Sequence, residues 1–209
     1  MEVVEAVKVR VGFGCAVSSV PTNSPRGGLE RGHGLAYHFR TMKQLLAWML
    51  FASMALGAEP QTTTGGAAEI EFLTISPGGK YAPKNVLAVW VADAQTNWIA
   101  TLLKRAGKRQ KYLLAWNKAR GTNETPDAIT GPTRLTHEPV NAAWNLRDSQ
   151  GNNVPDGHYF FVLEFTDQHA PGPVECYPFF KGATPVSAAY EDRDHVKAVR
   201  VTYRPGQPR

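Results

Sequence analysis

The sequence predicts an all-β fold, a single antiparallel β-sandwich of about seven strands. Short apolar segments recur along residues 69–204, and clusters of Gly, Pro, Asn and Asp separate them. In the segment His158–Thr166, aromatic and aliphatic residues occupy every second position from Tyr159 to Phe165, which is typical of a strand with one buried face. No sequence pattern of a long amphipathic helix follows any strand, and this argues against a parallel α/β sheet.

The first part of the domain predicts three strands. Glu69–Ile75 has strand composition, and Lys84–Asp93 is a nearly continuous apolar run, as expected for a strand that is covered on both faces. Asn97–Leu103 follows after the turn residues 94–96, so we expect it to pair with the strand before it.

The middle of the domain is less regular. Tyr112–Lys118 is compatible with either a short helix or a strand, and the polar, Thr/Gly/Pro-rich residues 120–138 predict an extended loop. Pro139–Leu146 predicts another strand. The turn-forming residues 148–157 follow it, and we expect a hairpin there that leads into His158–Thr166.

Two further strands complete the sandwich. Val174–Phe180 and Val196–Tyr203 have strand patterns, and every second residue from Val199 to Tyr203 is expected to face inward. This number of short strands, with turns between them, is typical of a sandwich of immunoglobulin type. We assign residues 69–204 to this domain and residues 205–209 to a tail.

An apolar segment before the domain predicts export. Residues 42–58 begin with Met42 and a lysine, continue with twelve apolar or small residues from Leu45 to Leu56, and end in Gly-Ala, which is the layout of a secretory signal peptide. A membrane-spanning helix needs about 20 apolar residues. A buried core helix could have this composition, but polar, Gly-rich sequence flanks the segment on both sides.

The signal peptide sets the expected organisation of the N-terminal part. Met42 is the expected start of the protein, and residues 1–41 are interpreted as a disordered extension from a mis-assigned gene start, because they show no apolar periodicity. Cleavage near Ala58 is followed by a flexible linker, residues 59–68. We therefore expect a periplasmic protein with no stable membrane anchor after cleavage.

Charge and cysteine content limit the partners. The chain has a net charge of +5, but residues 59–209 contain 17 basic and 15 acidic residues, which does not predict a nucleic-acid partner. Five basic residues fall between Lys104 and Lys111, and they suit either an anionic partner or a solvated connection. Cys176 is alone in residues 59–209, so we expect no intrachain disulfide in the mature protein; its apolar neighbours predict burial.

Three motifs resemble known extracytoplasmic families. The stretch from Trp144 to Tyr159 has the order Trp, Asp, Gly, Val-Pro-Asp-Gly and Tyr, and resembles the immunoglobulin-like domain of flagellar hook-capping proteins. Val-Trp-Val-Ala-Asp at 89–93 and the stretch Asp127–Arg134 resemble motifs of the predicted periplasmic family called domain of unknown function 2271. The resemblance implies an immunoglobulin-like sandwich in the periplasm; the role of that family is not established.

The stretch Asp127–Arg134 also resembles a cofactor-attachment motif. The sequence Asp127-Ala-Ile-Thr130-Gly131-Pro132-Thr133 is similar to the Asp-x-x-(Ser/Thr)-Gly-Ala-Thr motif, in which a transferase links flavin mononucleotide to the last threonine. The resemblance makes Thr133 the attachment residue, with Asp127, Thr130 and Gly131 around it. Pro132 replaces the alanine and removes a backbone N–H, so an ordinary Gly-Pro turn is the competing interpretation.

Other polar residues do not form a recognisable catalytic or metal motif in the sequence. Asp148 and Asp156, with the two neighbouring asparagines, offer oxygens suited to Ca²⁺, but turn chemistry explains them without a metal. Histidines lie at 137, 158, 169 and 195 without metal-ligand spacing, and His158 is expected to be solvated. Four tryptophans are expected to be mostly core residues: Trp90, Trp98, Trp116 and Trp144.

The function expected from these patterns is that of an exported, non-enzymatic accessory or binding module with a periplasmic protein partner, because a rigid sandwich presents its loops for recognition. The alternative is an electron-transfer carrier that bears covalent flavin mononucleotide on Thr133.

Overall fold

A computed structural model of the chain describes residues 7–9, 61–76, 78, 84–122, 129–167 and 169–206. Within these ranges the chain forms ten strands, one 3₁₀-helix (η1) and one α-helix (α1), all in one compact unit. The first elements are β1 Val7–Val9, β2 Gly66–Thr74, β3 Val86–Asp93, β4 Trp98–Arg105, η1 Gly107–Tyr112 and α1 Leu114–Arg120. The remaining elements are β5 Ile129–Gly131, β6 Pro139–Trp144, β7 Gly157–Thr166, β8 Val174–Lys181, β9 Val186–Tyr190 and β10 Val196–Pro205.

The strands form two sheets that pack together, which confirms the predicted all-β sandwich. Sheet 1 has the strand order β1-β9-β10-β2-β6, and sheet 2 has the order β5-β4-β3-β7-β8. All pairs are antiparallel except β1 with β9 and β4 with β5. The described strands outnumber the seven or so expected because the short β1, β5 and β9 carry little sequence signal.

The space between the sheets is filled largely by aromatic side chains. The alternating residues of β7, from Tyr159 to Phe165, are all buried there, and so are the predicted inward residues of β10. Phe161 stacks on Phe179 of β8 with ring centroids 4.9 Å apart, and Trp144 lies 5.2 Å from Tyr159. Each such ring removes enough apolar area from water to stabilise the fold by about 1.5–3 kcal/mol.

Strand β3 is covered on both faces, as its continuous apolar sequence predicts. Leu87, Val89 and Val91 belong to the core between the sheets. Their neighbours on the other face, including Ala88 and Trp90, belong to a second apolar cluster on the outer face of sheet 2. A two-layer sandwich does not by itself cover the outer face of sheet 2, so another element of the chain must cover it.

Two predicted connections differ from the structure. The predicted hairpin between β6 and β7 is wrong, since β6 pairs with β2 in sheet 1 whereas β7 pairs with β3 and β8 in sheet 2. The turn 148–157 therefore crosses from one sheet to the other. The predicted loop 120–138 contains the short β5, and the ambiguous segment Tyr112–Lys118 lies across the end of η1 and most of α1.

The predicted N-terminal regions are described only in part. Val7–Val9, within the predicted extension 1–41, runs parallel to β9 at the edge of sheet 1. The signal peptide 42–58 and the rest of 1–41 lie outside the described residues. Among the helices that are described, none has the length and hydropathy needed to span a membrane.

Cys176 is buried, as predicted, at 8% exposure on the outer face of β8. It is disulfide-bonded, and its partner lies outside the described residues. The expectation of no intrachain disulfide concerned the mature residues 59–209 alone, and it stays a prediction for that form.

Candidate functional site

The outer face of sheet 2 is covered by the segment that contains η1 and α1. Ala106, Leu113 and Trp116 point from this segment into the apolar cluster on β3 and β7. Leu113 and Trp116 are three positions apart, so they fall on one side of the helix. A helix of seven residues is too short to be stable in isolation, and its packing on the sheet is what stabilises it.

The start of α1 is fixed by a carboxylate of the sheet. Glu164 of β7 is only 1% exposed and accepts hydrogen bonds from the backbone N–H groups of Ala115 at 3.1 Å and Trp116 at 2.8 Å. These N–H groups belong to the first turn, which has no acceptors within the helix, and the N-cap residue Leu113 offers no side-chain acceptor. Burial raises the pKa of Glu164, and the backbone hydrogen bonds oppose that shift.

One buried hydroxyl of β4 fixes two indole rings. Thr101 Oγ1 accepts hydrogen bonds from Trp98 Nε1 at 3.1 Å and from Trp116 Nε1 at 2.9 Å. A hydroxyl oxygen can accept two hydrogen bonds, so both indole donors are satisfied at one point. The guanidinium of Arg120 lies 4.6 Å from the centre of the Trp116 ring. The position of α1 on the sheet is therefore held by polar contacts as well as by apolar burial.

Helix α1 leaves part of the outer face uncovered, and an open groove of about 320 Å³ lies there. Its walls are mostly apolar: Trp90, Ala92, Phe160, Val162 and Val174 from the strands, with Ala115 and Ala119 from the helix. Lys118 and Thr96 supply its polar side chains. The volume falls at the lower end of the range for ligand pockets, and the combination of apolar walls with few polar groups is typical of a binding site.

A second, more polar cavity of about 220 Å³ lies at the loop end where β7 ends and β10 begins. Asp167 and His195 line it, and Asp167 accepts a hydrogen bond from Ser76 Oγ at 2.8 Å. Near the same end of the sandwich, Asn85 Nδ2 donates to Thr74 Oγ1 at 3.0 Å.

The Thr74 hydroxyl is also 3.0 Å from His137 Nδ1. Burial lowers the pKa of His137, which favours the neutral ring. Three buried atoms at this end of the sandwich have no hydrogen-bond partner: Asn85 Oδ1, His137 Nε2 and His195 Nδ1. In the described part of the chain, no three His, Cys, Asp or Glu residues form a group that could hold a metal ion.

The predicted flavin motif lies at the edge of sheet 2. Asp127 is outside the described residues. Thr130 and Gly131 belong to β5, beside Lys104 and Arg105 of β4, and Thr130 is exposed. Thr133 is half-buried, and its hydroxyl donates a hydrogen bond to the backbone carbonyl of Ala106 at 2.9 Å. Attachment of a phosphate to this oxygen would break that hydrogen bond.

The two predicted carboxylates of the 148–157 turn lie in different environments. Asp148 accepts hydrogen bonds from the backbone N–H groups of Gln150 and Asn152, both at 2.8 Å, which is the turn chemistry expected from the sequence. Asp156 instead forms an ion pair with the fully buried Lys181 at 2.5 Å and accepts two hydrogen bonds from Thr64. Asp156 therefore joins the ends of three strands: β2, β7 and β8.

Of the four histidines of the domain, two lie at the polar loop end of the sandwich and the other two lie elsewhere. His158 is exposed, as predicted, and contacts Phe180. His169 stacks on Tyr112 of η1 with ring centroids 5.3 Å apart. His137 and His195 belong to the polar loop end described above. The sequence analysis did not predict the groove or the role of Glu164. The sequence feature that pointed to a covered outer face of sheet 2 was the apolar character of both faces of β3.

Comparison of the chain with protein-family models, with curated proteins and with solved structures finds no match.

Proposed function

We propose that this chain is an exported, non-enzymatic accessory module that binds a periplasmic protein partner through the groove beside α1. The observation that carries the proposal is the groove itself, which has a volume of about 320 Å³ and mostly apolar walls and opens on the outer face of sheet 2. A concave site with apolar walls and a few polar groups is the usual geometry of a binding site.

The shape of the groove supports a protein partner with a bulky apolar side chain. The walls are fixed before binding, because Glu164 holds the start of α1 and Thr101 holds the indole under it. A preformed groove loses little conformational entropy when it is occupied. Lys118 at the rim favours an acidic residue next to the apolar one. Export to the periplasm rests on the signal-peptide pattern of residues 42–58 and on the family resemblance.

A groove-filling substitution tests the proposal. Ala119→Leu adds three carbons to the helix wall of the groove, where Ala119 is half-buried. The matched control is Ala143→Leu, which makes the same change at an exposed position of β6 on sheet 1. The wild-type chain, as bait in a periplasmic extract of the native host, is expected to retain a stoichiometric partner that Ala119→Leu loses and Ala143→Leu keeps.

A second measurement does not depend on the partner. Binding of the apolar dye 1-anilinonaphthalene-8-sulfonate is expected to decrease in Ala119→Leu and to stay unchanged in Ala143→Leu, while circular dichroism shows both variants to be folded. The proposal is wrong if a partner binds both variants equally, or if the purified chain turns over a substrate and no partner is found.

The alternative function, an electron carrier with flavin mononucleotide on Thr133, is supported by the position of its motif. Thr130 and Gly131 lie on the short edge strand β5, and Thr130 is exposed, so a modifying enzyme could approach this edge. It ranks second because the Thr133 hydroxyl is already bonded to Ala106 and Pro132 departs from the motif.

A further inference from the structure

The segment that covers sheet 2 is strongly basic. Residues 94–123 contain no acidic residue. They contain seven basic ones, Lys104, Arg105, Lys108, Arg109, Lys111, Lys118 and Arg120. Among the described residues, the carboxylate of Glu164 hydrogen-bonds to the start of α1, and it is buried beneath the helix rather than turned to solvent. The exposed side chains of this segment are therefore basic, with an excess of positive charge in the described part of the chain.

Four residues of this segment form an exposed ridge: Lys108, Lys111, Leu114 and Lys118. In a 3₁₀-helix, residues three apart eclipse each other, so Lys108 and Lys111 of η1 lie on one side. In an α-helix, residues four apart share a face, so Leu114 and Lys118 also lie together. The opposite side of α1 is packed on the sheet through buried Trp116, and the buried Leu113 joins the two helices. We call the four exposed residues the lysine ridge.

The ridge lysines are only partly distinct from the basic residues around them, because Lys111 Nζ lies 5.1 Å from the centre of the Tyr112 ring. Lys104 donates a hydrogen bond to Gln110 at 2.8 Å, and Arg120 lies over the Trp116 ring, so both have contacts that stabilise the fold. Within the described residues, none of the three ridge lysines forms an ion pair with a carboxylate. Leu114 is 53% exposed between them.

We propose that the lysine ridge docks the protein reversibly on an anionic phospholipid surface. The three ammonium groups would contact lipid phosphates, and Leu114 would enter the boundary between headgroups and acyl chains. Clustered basic side chains are attracted to an anionic lipid surface, and an exposed leucine beside them adds apolar contact at the headgroup boundary. A nucleic acid is disfavoured by the near-balanced charge of residues 59–209, and it would not use the leucine.

The proposal goes beyond the groove function and rests mostly on other residues. The groove lies between α1 and the strands, whereas the ridge lies on the solvent side of η1 and α1. Lys118 takes part in both, so the test changes only Lys108, Lys111 and Leu114. Each lysine near an anionic surface strengthens binding by about 1 kcal/mol. The loss of one lysine is therefore expected to lower the partitioning of the protein onto anionic vesicles about fivefold.

The experiment measures cosedimentation of the full chain with phosphatidylcholine vesicles, with and without phosphatidylglycerol. The wild type is expected to bind the anionic vesicles more strongly, and about 1 M salt should remove the difference. Lys108→Gln with Lys111→Gln should lower anionic binding roughly 25-fold. Leu114→Ser should lower it about fivefold. The charge-matched control, Lys197→Gln with Arg200→Gln, changes exposed residues of β10 on the other sheet and should bind like the wild type.

Three results would overturn the docking proposal. The first is equal binding of the wild type to neutral and anionic vesicles. The second is equal loss of binding in the ridge variant and in its charge-matched control, which would show a dependence on net charge alone. The third concerns the protein partner. If the ridge variant keeps vesicle binding but loses the protein partner of the groove, the ridge belongs to the protein interface and the membrane proposal is wrong.

Discussion

The ion pair between Asp156 and Lys181 closes one end of the sandwich, and the burial of both side chains indicates the size of its contribution to stability. The Lys181 side chain is fully buried and that of Asp156 is 11% exposed. Asp156→Asn keeps the shape of the side chain but leaves the ammonium group of Lys181 buried without a counter-charge. Loss of one partner from a buried pair costs about 3–5 kcal/mol. That is a large part of the roughly 5–15 kcal/mol by which domains are stable.

Substitution of the other partner of the pair should cost less stability. Lys181→Met leaves Asp156 with the backbone and hydroxyl hydrogen bonds from Thr64, at 2.8 and 2.7 Å, and with partial access to water. We therefore expect a loss of about 1–2 kcal/mol. The double variant should be more stable than Asp156→Asn alone, because it removes the unpaired charge. Urea-induced unfolding followed by tryptophan fluorescence gives the four free energies.

The pH dependence gives a further test of the same pair. Although burial alone would raise it, the hydrogen bonds from Lys181 and Thr64 hold the pKa of Asp156 far below its ordinary value of 3.8. The stabilisation is then complete above the unfolded pKa and is lost as the pH falls below 3.8 toward the folded value. Asp156→Asn should lack this acid-induced loss.

An exposed ion pair provides the control for this cycle. Glu138 pairs with Arg134, and both side chains are about half exposed. Glu138→Gln should cost no more than about 1 kcal/mol. If Asp156→Asn costs no more than this control, Lys181 is not desolvated in solution and the reasoning is refuted.

Three other experiments test the site. Thr101→Val leaves two indole N–H groups without their acceptor and should cost about 2 kcal/mol, measured by urea unfolding; an unchanged midpoint would contradict the shared acceptor. Burial raises the pKa of Glu164 above its ordinary value of 4.5, so the folded protein holds this proton more tightly than the unfolded chain. The stability that this group contributes should therefore fall as the pH rises from the unfolded pKa through the folded pKa. Glu164→Gln should remove this pH dependence of the unfolding temperature, measured between pH 4 and 8. If the alternative function is right, coexpression with an active flavin transferase should add one flavin mononucleotide to the intact mass. Thr133→Val should abolish this addition, and Thr130→Val should not. An unmodified wild type would exclude the alternative function. Pro132→Ala then tests whether the proline alone prevents labelling.

The seven longer strands of the sandwich could be predicted because each has a local signal, which the short β1, β5 and β9 lack. The alternating rings of β7 and the continuous apolar run of β3 report burial directly, one on a single face and the other on both. The pairing could not be predicted in the same way. The turn 148–157 has the composition of a hairpin, but whether it joins neighbours in one sheet or crosses to the other depends on long-range packing.

The candidate site depends on contacts that are distant in sequence. Glu164 alternates with Leu163 and Phe165, so a two-layer sandwich would place it in solvent; only the helix above it makes it a buried cap. Lys181 ends a strand and has the sequence context of a surface residue, yet it is buried because Asp156, 25 residues earlier, lies beside it. Contacts between such distant residues follow from topology, which local patterns do not contain.

The groove follows from a mismatch between the outer face of sheet 2 and the element that covers it. Strands are spaced by about 4.8 Å, and a helix with its side chains is about 10 Å wide, so α1 can cover only about two strands. Its seven residues extend about 10 Å along its axis. Sheet 2 has five strands, and the apolar side chains of Trp90, Phe160 and Val174 continue beyond the helix. The sequence thus provides an apolar face wider than its own cover, and a partner that binds there would complete the layer.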